Sequence, residues 1–101
     1  MSIFYFGILR RYRDIQVVNR LWDRKREALR EVLKGLRVEA FLTQAQLAKK
    51  LSKPQSYASK YESGERKLDF VEVLEILELF EFEMGLFLNL YHERLSVSQT
   101  R

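Results

Sequence analysis

Leu42-Thr43-Gln44-Ala45-Gln46-Leu47-Ala48-Lys49-Lys50-Leu51-Ser52-Lys53-Pro54-Gln55-Ser56-Tyr57-Ala58-Ser59-Lys60-Tyr61-Glu62-Ser63-Gly64 decides the fold, because it reads as two short helices joined by a tight turn. Thr43 followed three residues later by Gln46 is the capping-box pattern, and Leu42 with Leu47 makes the hydrophobic staple that accompanies it. The first helix runs through Lys50, with Leu47, Ala48 and Leu51 on its inner side. Ala48 is small where a second helix must cross closely. Leu51-Ser52-Lys53 forms the turn, and Pro54 stands at or near the first turn of the next helix, where its missing N–H costs nothing. Ser52 with Gln55 offers a second capping box, and the pattern leaves the cap open between Ser52 and Lys53. The second helix, about residues 54–62, turns Ala58 and Tyr61 inward and Gln55, Ser56, Ser59 and Lys60 outward. Gly64 ends it, since glycine takes the left-handed conformation a helix C-terminus favours.

Downstream, after the polar Glu65-Arg66-Lys67, Asp69 and Glu72 repeat the capping box, with Leu68 and Val73 as the staple. The helix that follows carries Phe70, Val71, Val73, Leu74, Ile76, Leu77, Leu79 and Phe80, and only Glu72, Glu75 and Glu78 mark a solvent stripe. A helix this apolar is expected to be largely buried. A last helix is predicted over 83–95. Met84, Phe87, Leu88, Tyr91 and Leu95 lie on one side of it, while Leu86 and Leu90 on another side form a surplus that points to a subunit interface. Residues 96–101 read as a polar tail.

Upstream, residues 14–41 are helical in pattern, in one or two pieces. Leu29, Val32, Leu33, Leu36 and Ala40 fall on one face, with Arg24, Lys25, Arg26, Arg30, Lys34 and Arg37 elsewhere. Trp22 is expected to be a core or interface anchor. Residues 1–21 form an apolar N-terminal extension whose segment Ser2 to Leu9 alternates as a strand would. A run this apolar is expected to be covered, first by a second copy of the chain and second by its own fold. Attachment to a membrane surface ranks last, since one short segment holds weakly. The segment is too short to span a bilayer, and the arginines that follow it are in the wrong order for a secretory signal.

One hundred and one residues, 47% hydrophobic and 32% charged, suit one globular domain. With no cysteine there is no disulfide framework and no thiolate metal site, which is compatible with the reducing cytoplasm expected for the chain. The net charge of +4 is unevenly spread: +6 over residues 1–37, +3 over 38–67 and −5 over 68–101. A basic front with an acidic back suits a protein that meets a polyanion with one face. Nothing points to an enzyme or a cofactor. His92 is the only histidine, no glycine-rich phosphate loop occurs, and the glutamates of 72–83 are spaced as a solvated stripe.

Residues 26–82 resemble the lambda-repressor-like helix-turn-helix domain of Xre-type regulators. The resemblance is carried by Leu42-Thr43-Gln44-x-x-Leu47-Ala48 and by Pro54-Gln55-Ser56-Tyr57-x-Ser59-Lys60-Tyr61-Glu62-Ser63-Gly64-Glu65-Arg66. It implies an all-α, five-helix fold over residues 22–95. The chain departs from the pattern at Ser52, where the family usually has Gly, and at Ala58, where a larger aliphatic residue is usual. The resemblance also implies that the helix beginning near Pro54 enters the major groove of double-stranded DNA, with Gln55, Ser56, Ser59 and Lys60 at the base edges. Gln44 is similar to a family residue that grips phosphate. The chemistry agrees, since glutamine pairs with adenine, lysine donates to guanine, and serine serves either. Lys53, Tyr57, Arg66 and Lys67 flank the groove and are expected to meet phosphates. Two functions follow. One is a homodimeric transcriptional regulator reading a palindromic operator. The other is a protein-interaction module, such as the antitoxin of a toxin–antitoxin pair.

Overall fold

The computed structural model describes residues 12–99, with side chains described from 21 to 97. The extension before residue 12, and with it the expected strand over Ser2 to Leu9, lies outside the described residues. Among the described residues five helices follow one another: α1 Tyr12–Glu39, α2 Gln44–Lys50, α3 Tyr57–Ser63, α4 Phe70–Leu79 and α5 Met84–Gln99. No strand occurs among the described residues.

Both capping boxes form. Thr43 Oγ1 accepts from the Gln46 N–H at 3.0 Å while the Gln46 side chain accepts from the Thr43 N–H at 2.8 Å. Asp69 and Glu72 repeat the exchange at 2.8 and 2.9 Å. These reciprocal bonds satisfy N–H groups that a helix start leaves without partners. Gly64 closes α3 in the left-handed region at φ 89°.

The other three interhelix turns do the same without glycine. Phe41 (φ 59°), Ser52 (φ 59°) and Glu81 (φ 52°) are all left-handed. In each, the next residue's N–H reaches back five positions: Leu42 to Arg37 O, Lys53 to Ala48 O and Phe82 to Leu77 O. This is the Schellman closure, which normally recruits glycine. A side chain in this region costs about 1–2 kcal/mol, against which glycine's extra unfolded-state freedom costs about 0.5–1 kcal/mol. Ser52→Gly, at an exposed position, is therefore expected to stabilise the domain by about 0.5–1 kcal/mol. A rise in the urea midpoint at constant slope would register it.

The core gathers where α2 and α3 meet α1, α4 and α5. Leu33, Leu47, Ala48, Ala58, Tyr61 and Ile76 are fully buried, with Tyr57, Val73, Leu77 and Phe87 nearly so. From α1, Ala28 and Leu33 are buried, and the helix is unbroken from Tyr12 to Glu39.

Three expectations change. The second helix of the motif begins at Tyr57 rather than near Pro54. The Tyr57 N–H donates to Pro54 O at 2.9 Å, so residues 54–56 make one turn ahead of the helix, and neither Ser52 nor Ser56 supplies a side-chain cap. Trp22 is 54% exposed and is no core anchor. The apolar α4 is buried on one face only, leaving Phe70 and Val71 at 67% and 62% exposure.

Candidate nucleic-acid interface

The outward face of α2 and α3 begins with what fixes the two helices to α1. Arg37 Nε donates to Glu62 Oε2 at 2.8 Å and Nη2 to Oε1 at 3.1 Å, a two-point clasp between α1 and α3. The remaining arm, Nη1, donates to Leu42 O at 2.7 Å. Gln44 Nε2, from the first residue of α2, donates to the same Glu62 Oε1 at 2.8 Å. One carboxylate thus registers three helices. The bond to Glu62 raises the Arg37 pKa further above its ordinary value, against a smaller opposing effect of burial.

Above this clasp, Gln44, Ala45, Gln55, Ser56 and Ser59 line one open depression of about 530 Å³. Gln55 and Ser56 are exposed in the turn that leads into α3. Ser59 is half-buried, and its hydroxyl donates to Ser56 O at 3.0 Å. Lys60 is exposed one residue further along α3, outside that depression. Three of the four residues expected at base edges therefore share one concavity with Gln44, and the fourth projects from the same helix.

The flanking residues divide. Tyr57 does not fit the expectation of a phosphate contact, because it is 5% exposed, packs edge-on against Tyr61 at 5.4 Å between ring centroids, and shares a hydrogen bond of 3.2 Å with Glu72. Burial and the neighbouring Glu72 push its hydroxyl pKa up to about 12. The cations Lys53 and Arg66 lie 5.5 and 5.3 Å from the centre of its ring. Each also meets a glutamate of α4: Lys53 faces Glu75 at 3.8 Å, and Arg66 holds Glu72. The Glu72 pKa is lowered, first by the N–H of Asp69 and then by Arg66. Lys67 is exposed, and no carboxylate pairs with it among the described residues. The acidic α4 thus partly balances the basic rim, which the charge count along the chain does not show.

Against models of known protein families, residues 33–87 match the one described as Helix-turn-helix. The chain belongs to the Xre, lambda-repressor-like helix-turn-helix family. The match covers every core residue from Leu33 to Phe87 and both helices of the motif. No curated protein and no solved structure matches the chain. Helix-turn-helix proteins of this family are DNA-binding regulators. Among the described residues no helix is long and apolar enough to cross a membrane.

The Arg37–Glu62–Gln44 clasp is the functional feature that the sequence reading missed. Arg37 was grouped with the solvated charges of α1, and Glu62 was given no role. The local signal was weak, since the partners stand 25 residues apart. What could have found it is that Glu62 stands one helical turn after the inward Ala58, on the same side of α3, while Arg37 sits in the last turn of α1.

Proposed function

We propose that the protein is a sequence-specific transcriptional regulator that reads a palindromic operator in double-stranded DNA as a homodimer. The observation that carries this reading is the shared depression of Gln44, Ala45, Gln55, Ser56 and Ser59. The major groove, about 12 Å wide, admits a helix, and side chains from the turn before α3 and from its first turn would meet base edges there. Gln55 suits adenine, Lys60 suits guanine, and Ser56 and Ser59 suit either. Gln44, held by Glu62, fixes the height at which the backbone is met. Lys67, with Lys53 and Arg66, supplies phosphate contacts. In each of these ion pairs one partner stands well exposed, Glu75 at 47% and Arg66 at 47%, and such surface pairs are worth only about 0–1 kcal/mol, so exchanging a glutamate for a phosphate costs little. A regulator of this kind works in the cytoplasm, beside the DNA.

Apolar side chains left in water support the dimer: Leu86, Leu88 and Leu90 on α5 are 52%, 44% and 40% exposed. The same surface would equally seat a different protein, which supports the second reading, an antitoxin holding a toxin. Affinity capture from the source cell separates them. Recovery of self and DNA alone favours the regulator, and a stoichiometric second protein favours the antitoxin.

Selection of bound sequences from a random duplex pool at fixed salt tests the operator. Inverted repeats with half-site centres about 34 Å apart, or a multiple of that, are expected. On the selected site, Gln55→Ala or Lys60→Ala is expected to weaken binding by about 1–3 kcal/mol without changing the melting temperature. Unchanged affinity in a gel shift would remove that residue from the readout.

A further inference from the structure

A second polar cavity, of about 290 Å³, lies where the end of α3 meets α1. Its wall includes Asp23, Arg26 and Arg30 from α1, Tyr61 from α3, and Arg66 and Lys67 from the loop that follows. Four cations face one carboxylate there. Two of them are engaged: Arg66 with Glu72, and Arg26 loosely with Asp23 at 3.8 Å. Among the described residues no carboxylate pairs with Arg30 or Lys67. Arg30 is half-buried, and its guanidinium lies against the chain at Gly64, where an added Cβ would come within 3.1 Å of Cζ. Tyr61 is fully buried, and its hydroxyl has no hydrogen-bond partner among the described residues.

A half-buried guanidinium without an anion is unfavourable, and Arg30 stands on this cavity with Arg26, Arg66 and Lys67 on the same wall. The carbonyl end of α3 adds partial negative charge that opposes an anion, so any anion here depends on the cations of α1 and the loop. We propose that this cavity binds a phosphate group. Guanidinium forks match phosphate oxygens in pairs, and the two cations left unpaired among the described residues, Arg30 and Lys67, suit a dianion. The space exceeds the roughly 30 Å³ of a single water several-fold, enough for a phosphate and its hydration. The phosphate has two sources: the backbone of bound DNA, which rests on the operator-binding reading, or a free phosphorylated small molecule, which does not.

The test uses the full chain and inorganic phosphate, titrated at constant ionic strength and pH with chloride as the reference ion. Backbone and arginine side-chain NMR signals report where it binds. Saturable shifts at Arg30, Gly64 and Lys67 are expected. Arg30→Gln is expected to lower phosphate affinity about tenfold. Arg30→Lys, which keeps the charge but loses the fork, is expected to recover only part of that affinity, an outcome that a purely structural arginine would not give. The source is read from the salt dependence of duplex binding. A slope reduced by about one in Arg30→Gln assigns the DNA backbone; an unchanged slope with intact phosphate binding assigns the free molecule. Absence of saturable shifts, or equal phosphate affinity in Arg30→Gln and the unaltered chain, overturns the proposal. The titration needs no DNA, so failure to bind DNA would count against the regulator reading and leave the phosphate result standing.

Discussion

Glu62→Ala is expected to remove about 3–5 kcal/mol of stability, the cost of leaving one partner of a sheltered ion pair without the other. The side chains of Arg37 and Glu62 are only 12% and 4% exposed, so water cannot take the place of the lost carboxylate at Arg37. Gln44 loses its acceptor at the same time. A domain of this size holds about 5–15 kcal/mol in all, so a fifth of its margin or more goes with one side chain. Urea unfolding followed by circular dichroism measures it, and a loss under about 1 kcal/mol would mean that the clasp behaves as an exposed surface pair. A further comparison separates charge burial from packing. Replacing both partners together, Arg37→Met with Glu62→Leu, is expected to cost less than Glu62→Ala alone, because no orphaned charge remains. Specific DNA affinity is nonetheless expected to fall in the double variant, since Gln44 is no longer held.

Ala48→Leu is the second large effect. Ala48 is fully buried where α2 crosses α3, in one cluster with Leu47 and Ala58. Helix axes at such contacts stand about 8–10 Å apart, set by the side chains between them. Three more carbons there force the helices apart, at a cost of about 1–3 kcal/mol. The Ala48 carbonyl also accepts from the N–H groups of Leu51 at 3.1 Å and Lys53 at 2.9 Å. A displaced Ala48 therefore drags the turn that presents Gln55 and Ser56. Operator affinity is expected to fall at least about tenfold, 1.4 kcal/mol, in the protein that remains folded. Ala48→Gly makes room instead of filling it. It should cost about 1 kcal/mol of stability, as glycine does inside a helix, with operator affinity kept. Equal affinity for the Ala48→Leu and unaltered proteins, at a temperature where both are folded, would dissociate the crossing from the readout.

Much of this fold was legible because its signals are local. Thr43 with Gln46 and Asp69 with Glu72 lie three residues apart, and each pair completes a hydrogen-bonded box without help from distant chain. Gly64 follows the same logic. Left-handed Phe41, Ser52 and Glu81 were not foreseen, because none is a residue that asks for that conformation; the pull of the closing hydrogen bonds imposes it. Periodicity identified apolar faces correctly but not what covers them. Phe70 and Val71 are therefore exposed where burial was expected, Trp22 lies outside the core, and Tyr57, grouped with the polar rim, is buried. At the interface, the outward direction of Gln55, Ser56 and Lys60 followed from Ala58 and Tyr61 facing in. The start of α3 did not, because a proline serves a turn before a helix as readily as its first residue.

That α1 is one unbroken helix of 28 residues, about 42 Å long at 1.5 Å per residue, has a mechanical outcome. Its C-terminal end is clasped to α3 by Arg37 and Glu62, and the same rod continues without a break to Tyr12. A partner that took hold of the other end would turn α3 with it. In two copies joined that way, the spacing of the two α3 helices would be dictated from outside the motif.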